Sequence, residues 1–305
     1  MSQTEKSLPA TRCGYVALIG ASNAGKSTLL NRLVGRKLAI VTPKAQTTRT
    51  RLLGIAIEGS AQIIYVDTPG IFAPRRRLDR AMVAAAWSGA EDADETVLLV
   101  DAARGIGPDV RSILDRLADR RRRSILALNK IDLMRRDRLL ALAAELAKAG
   151  DFDPVFMISG LSGDGVEDLK GHLAAAVPPG PWLFPEDRLS DAPERLLAAE
   201  VTREQVFLQL HDELPYASTV ETESWENRRD GSVRIEQVIY VERPSQRAIV
   251  LGERGQRIKS IGARARAELE RILERRVHLF LFVKVRENWG EDRERFNALG
   301  LDYEV

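Results

Sequence analysis

Residues 20–28 read GASNAGKST, and Gly20, Gly25, Lys26 and Ser27 keep the spacing G-x-x-x-x-G-K-[ST]. The chemistry this suits is the cradling of phosphate groups. Glycine at positions 20 and 25 permits backbone conformations that a side chain would forbid. Consecutive N–H groups along Ala21, Ser22, Asn23 and Ala24 can then converge on an anion, helped by the start of a helix. Lys26 can reach the outer phosphates, and the Ser27 hydroxyl, followed by Thr28, can ligate Mg²⁺. The flanks agree: the apolar run 15–19 (YVALI) predicts a strand, and 29–34 (LLNRLV) predicts a helix.

The elements that must position this loop are legible in the first half. Residues 52–57 and 62–66 predict two strands joined by the short turn 58–61, a hairpin. Apolar strands are predicted at 96–100, 124–128 and 155–158, with helical patterns between them such as 78–89 and 138–148. Strands alternating with helices imply an α/β fold, a mostly parallel sheet covered on both faces. Ligands of such sheets bind at the carboxyl ends of the strands.

Polar motifs stand at those ends: Asp67-Thr68-Pro69-Gly70, Asn129-Lys130-Ile131-Asp132 and Ser159-Gly160-Leu161. Asp67 is placed to hold Mg²⁺ through water. Gly70 offers an unobstructed N–H to a terminal phosphate. Asp132 can accept from both N1–H and the 2-amino group of guanine, and Asn129 can pair with the other edge of the ring. Adenine has neither donor, so a site built on these hydrogen bonds rejects it strongly. The turn at residues 159–161 can add backbone N–H contacts to the guanine carbonyl.

The ordered set GASNAGKS, a threonine-bearing loop (Thr47, Thr48), DTPG, NKID and SGL resembles the small GTPase superfamily over roughly residues 14–177. Within it, the loop AQTTR at residues 45–49 looks like the first switch of the Era GTPases. The resemblance implies that one of Thr47 and Thr48, with Thr48 favoured, closes over Mg²⁺ beside Ser27 and Asp67. Gly160 stands where most relatives carry alanine. Ile71 follows DTPG where Ras-like proteins place a water-orienting glutamine, which isoleucine cannot replace. Asn23 resembles the asparagine of GTPases that bind K⁺ between the β- and γ-phosphates. Lys26, Asn23 and Thr48 are therefore the candidate catalytic groups, and intrinsic hydrolysis is expected to be slow. The basic runs 75–77 and 120–123 read as solvated faces, with a role toward RNA phosphates left open for 75–77, which lies in the presumed second switch.

Residues 178–191, PPGPWLFPEDRLSD, break regular structure and predict a linker between domains. Beyond it, 192–210 predicts an amphipathic helix, and 217–225 and 233–241 a hairpin around the turn 227–231. A long helix to about residue 275 and a strand at 277–285 close the pattern. By periodicity 248–251 reads as a strand. The stretch IVLGERGQRIKSIG, however, resembles a type II KH domain, in which a helix leads into a G-x-x-G loop, and that resemblance is preferred here. It makes Gly252, Glu253, Arg254, Gly255, Arg257 and Lys259 the candidate RNA-binding residues of an α+β domain. A KH loop clamps about four nucleotides. Residues 247–276 carry nine basic and four acidic side chains, the local excess that phosphate contacts need.

The expected domains are a tail at 1–13, a GTPase domain at 14–177, the linker 178–191, a KH domain at 192–290 and a C-terminal tail at 291–305. A net charge of +2 over 305 residues argues against a global field for nucleic acid, and 44% apolar content is ordinary for a globular protein. The single Cys13 excludes an intramolecular disulfide, and no run approaches the roughly 20 apolar residues of a membrane span. The Era-family resemblance implies a cytoplasmic, monomeric switch that binds GTP and GDP. Its implied partners are 16S ribosomal RNA near the 3′ end and the 30S subunit, whose assembly it would assist. Peripheral contact with the inner membrane and coupling to growth and the cell cycle are implied with it. The alternatives are a tRNA-modification GTPase, whose relatives carry a reactive cysteine near the C-terminus that is lacking here, and an RNA-binding protein with a structural nucleotide.

Overall fold

The computed structural model describes residues 11–119 and 123–305. Most of the expected N-terminal tail, residues 1–10, lies outside the described residues, as do Arg120, Arg121 and Arg122 of the second basic run. The chain divides into two compact units. The first comprises Met1–Arg36, Thr50–Pro74 and Met82–Asp191; the second comprises Lys37–Arg49, Arg75–Ala81 and Ala192–Val305.

The first unit is built on β1 (Arg12–Gly20), β2 (Leu52–Glu58), β3 (Ala61–Asp67), β4 (Glu95–Asp101), β5 (Ser124–Asn129) and β6 (Phe152–Met157). Their order in the sheet is β2-β3-β1-β4-β5-β6. The expected hairpin makes β2 antiparallel to β3, and the other neighbours are parallel. Every residue of β3 and of β5 is buried, which explains their unbroken apolar runs. The helices are α1 (Lys26–Val34), α2 (Arg77–Glu91), α3 (Pro108–Asp119), α4 (Arg136–Ala149) and α5 (Val166–Ala176). In α3 the buried Val110, Ile113 and Leu114 follow helical spacing and join a core with Leu98, Leu126 and Trp87. Burying each such side chain stabilises by roughly 1.5–3 kcal/mol. In register, Leu18 pairs with Asp67, Gly20 with Leu99 and Asp101 with Asn129, so the motif-bearing strand ends lie along one edge.

Two expected boundaries are corrected here. Strand β1 begins at Arg12, inside the stretch read as tail, because Cys13 N–H donates to Pro178 O and Arg12 pairs with Pro179. The linker 178–191 is irregular, as its prolines require, yet it is strapped along the first unit. The fully buried Gln62 accepts from the N–H groups of Leu183 (2.9 Å) and Phe184 (3.0 Å) and donates to Phe184 O (2.8 Å). Ile55 N–H donates to Leu189 O at 2.8 Å, and Ser190 Oγ donates to Leu53 O at 2.7 Å. The segment thereby covers the outer backbone groups of edge strand β2.

The second unit contains α6 (Glu194–Gln209), β7 (Ser218–Asn227), β8 (Val233–Val241), α7 (Pro244–Leu251), α8 (Gln256–Leu273), β9 (Val277–Val285) and α9 (Arg293–Ala298). The sheet order is β7-β8-β9, with β7 antiparallel and β9 parallel to β8. Residues 248–251 are helical, against their periodicity and with the KH resemblance. Pro244 sets the first turn, and Gln246 Oε1 accepts from Glu242 and Arg243 N–H at 2.9 and 3.1 Å. The expected C-terminal tail is also corrected: α9 forms after the Asp292 cap, and Trp289, Phe296 and Leu301 are buried.

Candidate nucleotide site and nucleic-acid interface

The phosphate loop leaves β1 at Gly20 and enters α1 at Lys26. Its glycines are forced by crowding. A Cβ on Gly20 would lie 2.4 Å from Leu99 O, and one on Gly25 would lie 2.3 Å from Asn129 Nδ2. Both have positive φ, and Asn23 between them takes φ 64°. Lys26 is buried, with Nζ donating to Gly20 O (3.0 Å) and Ala21 O (3.1 Å). Desolvation pushes its pKa down to about 8, against the opposing attraction of Asp67.

Ser27 Oγ donates to Asp67 Oδ2 at 2.7 Å, and Asp67 is fully buried. A hydroxyl and a carboxylate at this distance fit a hard cation such as Mg²⁺, which takes its remaining oxygens from phosphate and water. Thr68 Oγ1 donates to Leu18 O at 2.8 Å and Ile71 N–H to Gly20 O at 3.1 Å, so the DTPG loop, with Pro69 and Gly70 between these two bonds, is tied beside the phosphate loop. The Ile71 side chain is buried in the core.

At the base end, the structure gives Asn129 a positioning task. Its Oδ1 accepts from Lys130 N–H and Gly160 N–H, both at 2.9 Å, and its Nδ2 donates to Ala24 O at 2.8 Å. One amide thus ties three loops together, the Gly160 N–H included. Lys130 adds Nζ bonds to Asn23 O (2.7 Å) and Asp101 Oδ2 (2.6 Å). Asp132 stands exposed in the short turn Ile131–Leu133, its carboxylate open to solvent. Ser159 N–H donates to Asp164 O, Ser162 N–H donates to Ser159 Oγ, and Leu161 is exposed but receives Arg32 Nη2 on its carbonyl.

The threonine-bearing segment packs with the second unit, a placement that the polar connection 37–51 gave no sign of. Lys37 Nζ meets Glu204 (2.7 Å) and Glu268 (2.9 Å), and Val41 N–H donates to Glu204 Oε1 at 2.9 Å. Lys44 Nζ donates to the carbonyls of Phe207 and Leu210 at the end of α6. Thr47 Oγ1 bonds Thr42 Oγ1 (2.7 Å) and Lys44 O (2.8 Å), while Thr47 O accepts from Arg203. Arg203 is buried and ion-paired to Glu200. The buried Arg49 donates to Ser218 O at 2.8 Å and lies over the rings of Phe207 and Trp289. Burial, then repulsion from Arg203, holds its guanidinium below the usual arginine range. Thr47 and Thr48 therefore belong to the second unit, and Ser27 and Asp67 to the first. Arg77, expected on a solvated face, pairs with Glu291 at 3.1 Å and stacks on Tyr303.

In the second unit, α7 ends at the turn 252–255. Gly252 (φ 70°), Arg254 (φ 49°) and Gly255 (φ 75°) are left-handed, and a Cβ on Gly252 would lie 2.6 Å from Arg257 Cβ. Glu253, Arg254 and Lys259 are exposed. Arg257 differs from expectation: its Nη1 donates to Gln209 O at 2.5 Å, tying α8 to α6. Ile249 of the IVLGERG stretch is exposed beside the loop, next to the buried Val250.

A family profile described as 50S ribosome-binding GTPase matches residues 15–130, and one described as KH domain matches residues 213–290. GTPase Era of Rhizobium meliloti is 60% identical over 99% of this chain and 98% of its own length. GTPase Era of Brucella suis is 59% identical over 96% of this chain and 94% of its own. The chain belongs to the Era GTPase family. As a member it is an enzyme that hydrolyses GTP to GDP and phosphate. Two solved Era structures align with TM-scores of 0.90 at 38% identity, covering 95% of this chain and 99% of theirs. One is an Aquifex aeolicus Era variant bound to GDP.AlF4⁻; the other is Era in complex with MgGDPNP and nucleotides 1506–1542 of 16S ribosomal RNA. The Era fold, a P-loop GTPase domain followed by a KH domain, accounts for both glycine loops described above. Among the described residues, no helix is long and apolar enough to cross a membrane.

Proposed function

We propose that this chain is a GTP-driven switch that binds 16S ribosomal RNA through its KH loop and assists assembly of the 30S subunit. The observation that carries the reading is the likeness, over 95% of the chain, to an Era structure holding both MgGDPNP and the 1506–1542 segment of 16S RNA. In this reading the amides of residues 20–28 and Lys26 hold the phosphates, and Asp132 selects guanine. Mg²⁺ sits on Ser27 and Asp67, joined in the GTP state by Thr47 or Thr48. Were Thr47 the ligand, its hydroxyl would leave Thr42 and Lys44, and either threonine would carry nucleotide state to a segment that belongs to the second unit. Gly252, Arg254, Gly255 and Lys259 receive the RNA backbone. With Ile71 buried, K⁺ held near Asn23 supplies charge stabilisation to the transferring phosphate. The reading extends to a cytoplasmic protein with peripheral contact to the inner membrane and a link to growth, both carried by family resemblance alone.

GTP turnover measured in KCl and in NaCl, with and without an RNA containing CCUCC, tests this reading. Turnover is expected to rise with K⁺ and again with RNA. Rates indifferent to the RNA would reject the switch, and rates indifferent to the cation would reject the role at Asn23.

A further inference from the structure

We propose that the Ser22 hydroxyl is a ligand of the γ-phosphate and makes this loop prefer GTP to GDP. Ser22 Oγ is buried and has no hydrogen-bond partner among the described residues. Buried hydroxyls without partners are rare, and each calls for an explanation. The surroundings supply one. Ser22 lies directly against Gly70: a Cβ on Gly70 would fall 2.7 Å from Ser22 Oγ, 2.9 Å from Ser22 Cα and 3.1 Å from Ser22 N. The two loops are locked side by side by the Ala21–Ile71 bridge and the 3.1 Å bond from Ile71 N–H to Gly20 O. The next side chain along, Ile71, points into the core and offers the phosphate nothing.

The hydroxyl therefore lies beside Gly70, whose N–H is the group offered to a terminal phosphate, and it belongs to the same loop as the amides that would hold that phosphate. An anionic oxygen there accepts a charge-assisted bond from Ser22, stronger than a neutral one. GDP lacks that oxygen and leaves the hydroxyl without a partner. The inference rests on the phosphate placement proposed above.

The test compares binding of GDPNP and GDP to the full chain and to Ser22→Ala, with Lys26→Ala alongside. Loss of a hydrogen bond to a charged group is expected to weaken GDPNP about tenfold or more while GDP changes by less than about twofold. The nucleotide-free Ser22→Ala protein is expected to melt no lower than the parent, since it loses a buried polar atom that had no partner. Equal weakening of both nucleotides, or unchanged GDPNP binding, would overturn the role of Ser22. Retained GDP affinity in Lys26→Ala would instead overturn the phosphate placement itself.

Discussion

Each unit carries one glycine loop, and the second glycine of the two loops differs in how crowded it is. At Gly20 and Gly25 the neighbours forbid a side chain, with Leu99 O and Asn129 Nδ2 only 2.4 and 2.3 Å from where a Cβ would be. At Gly255 nothing lies within 4 Å, and only φ 75° favours glycine. The first loop is enclosed by three strand ends and by the Asn129 and Lys130 side chains. It suits a small ligand gripped on every side. The second stands open at a helix junction between exposed Glu253, Arg254 and Lys259, which suits a polymer passing across it. Similar composition thus stands in an enclosed loop of one unit and an open turn of the other.

Breaking the enclosure gives the largest expected effect. Gly25→Ala puts a methyl group into the Asn129 amide at positive φ, and GDP affinity by calorimetry is expected to fall at least about a hundredfold. On the platform, Gly252→Asp meets both Arg257 and the RNA phosphates. RNA affinity in a filter or anisotropy assay is expected to drop about tenfold or more with GDP affinity intact. Gly255→Ala sharpens the contrast: open space leaves only left-handed strain of about 1 kcal/mol, so RNA binding weakens by less than about tenfold. If Gly255→Ala proved as damaging as Gly25→Ala, the distinction between crowded and open loops would fail.

Between these lies the segment held on the second unit. Arg203→Ala removes the donor to Thr47 O and strands Glu200, and is expected to destabilise that unit by about 1–3 kcal/mol in urea unfolding. The smallest effect is a proton. Burial holds the Lys26 pKa down to about 8, and a bound phosphate is expected to make it fully charged. The bound state then holds more protons than the free one, so GDP affinity is expected to fall as pH rises above about 8. Calorimetry at pH 8 in buffers of different ionisation heat should show uptake of about half a proton.

Much of this was legible in the residues. The buried strands β4 and β5 are apolar runs because both faces are covered, and the polar motifs follow the strands in a fixed order. The helix 244–251 is not written in its periodicity, since Ile249 is exposed and only Val250 is fully buried; the KH pattern supplied it. The ordered path of 178–191 escaped notice because its bonds go to a distant partner, Gln62, and to the edge of β2. The folded C-terminus depends on a few widely spaced apolar residues, Trp289, Phe296 and Leu301, which show no regular period. Within the site, residue types identified the loops but not each side chain's task. Asn129 and Arg257 have the right chemistry for ligand contact, yet both are engaged in holding protein segments together. The destination of Lys44 and Arg49 is set by carbonyls of α6 and the residues after it, and that of Thr47 by the Arg203 guanidinium on its carbonyl, none of which a local pattern marks.

The central claim is that nucleotide state at the enclosed loop controls RNA at the open one. Its most direct test is the affinity of the full chain for an RNA corresponding to the 3′ end of 16S ribosomal RNA, measured with GDPNP and with GDP bound. Tighter binding with GDPNP, by about tenfold or more, is the expected result. Equal affinity in the two states would contradict the account.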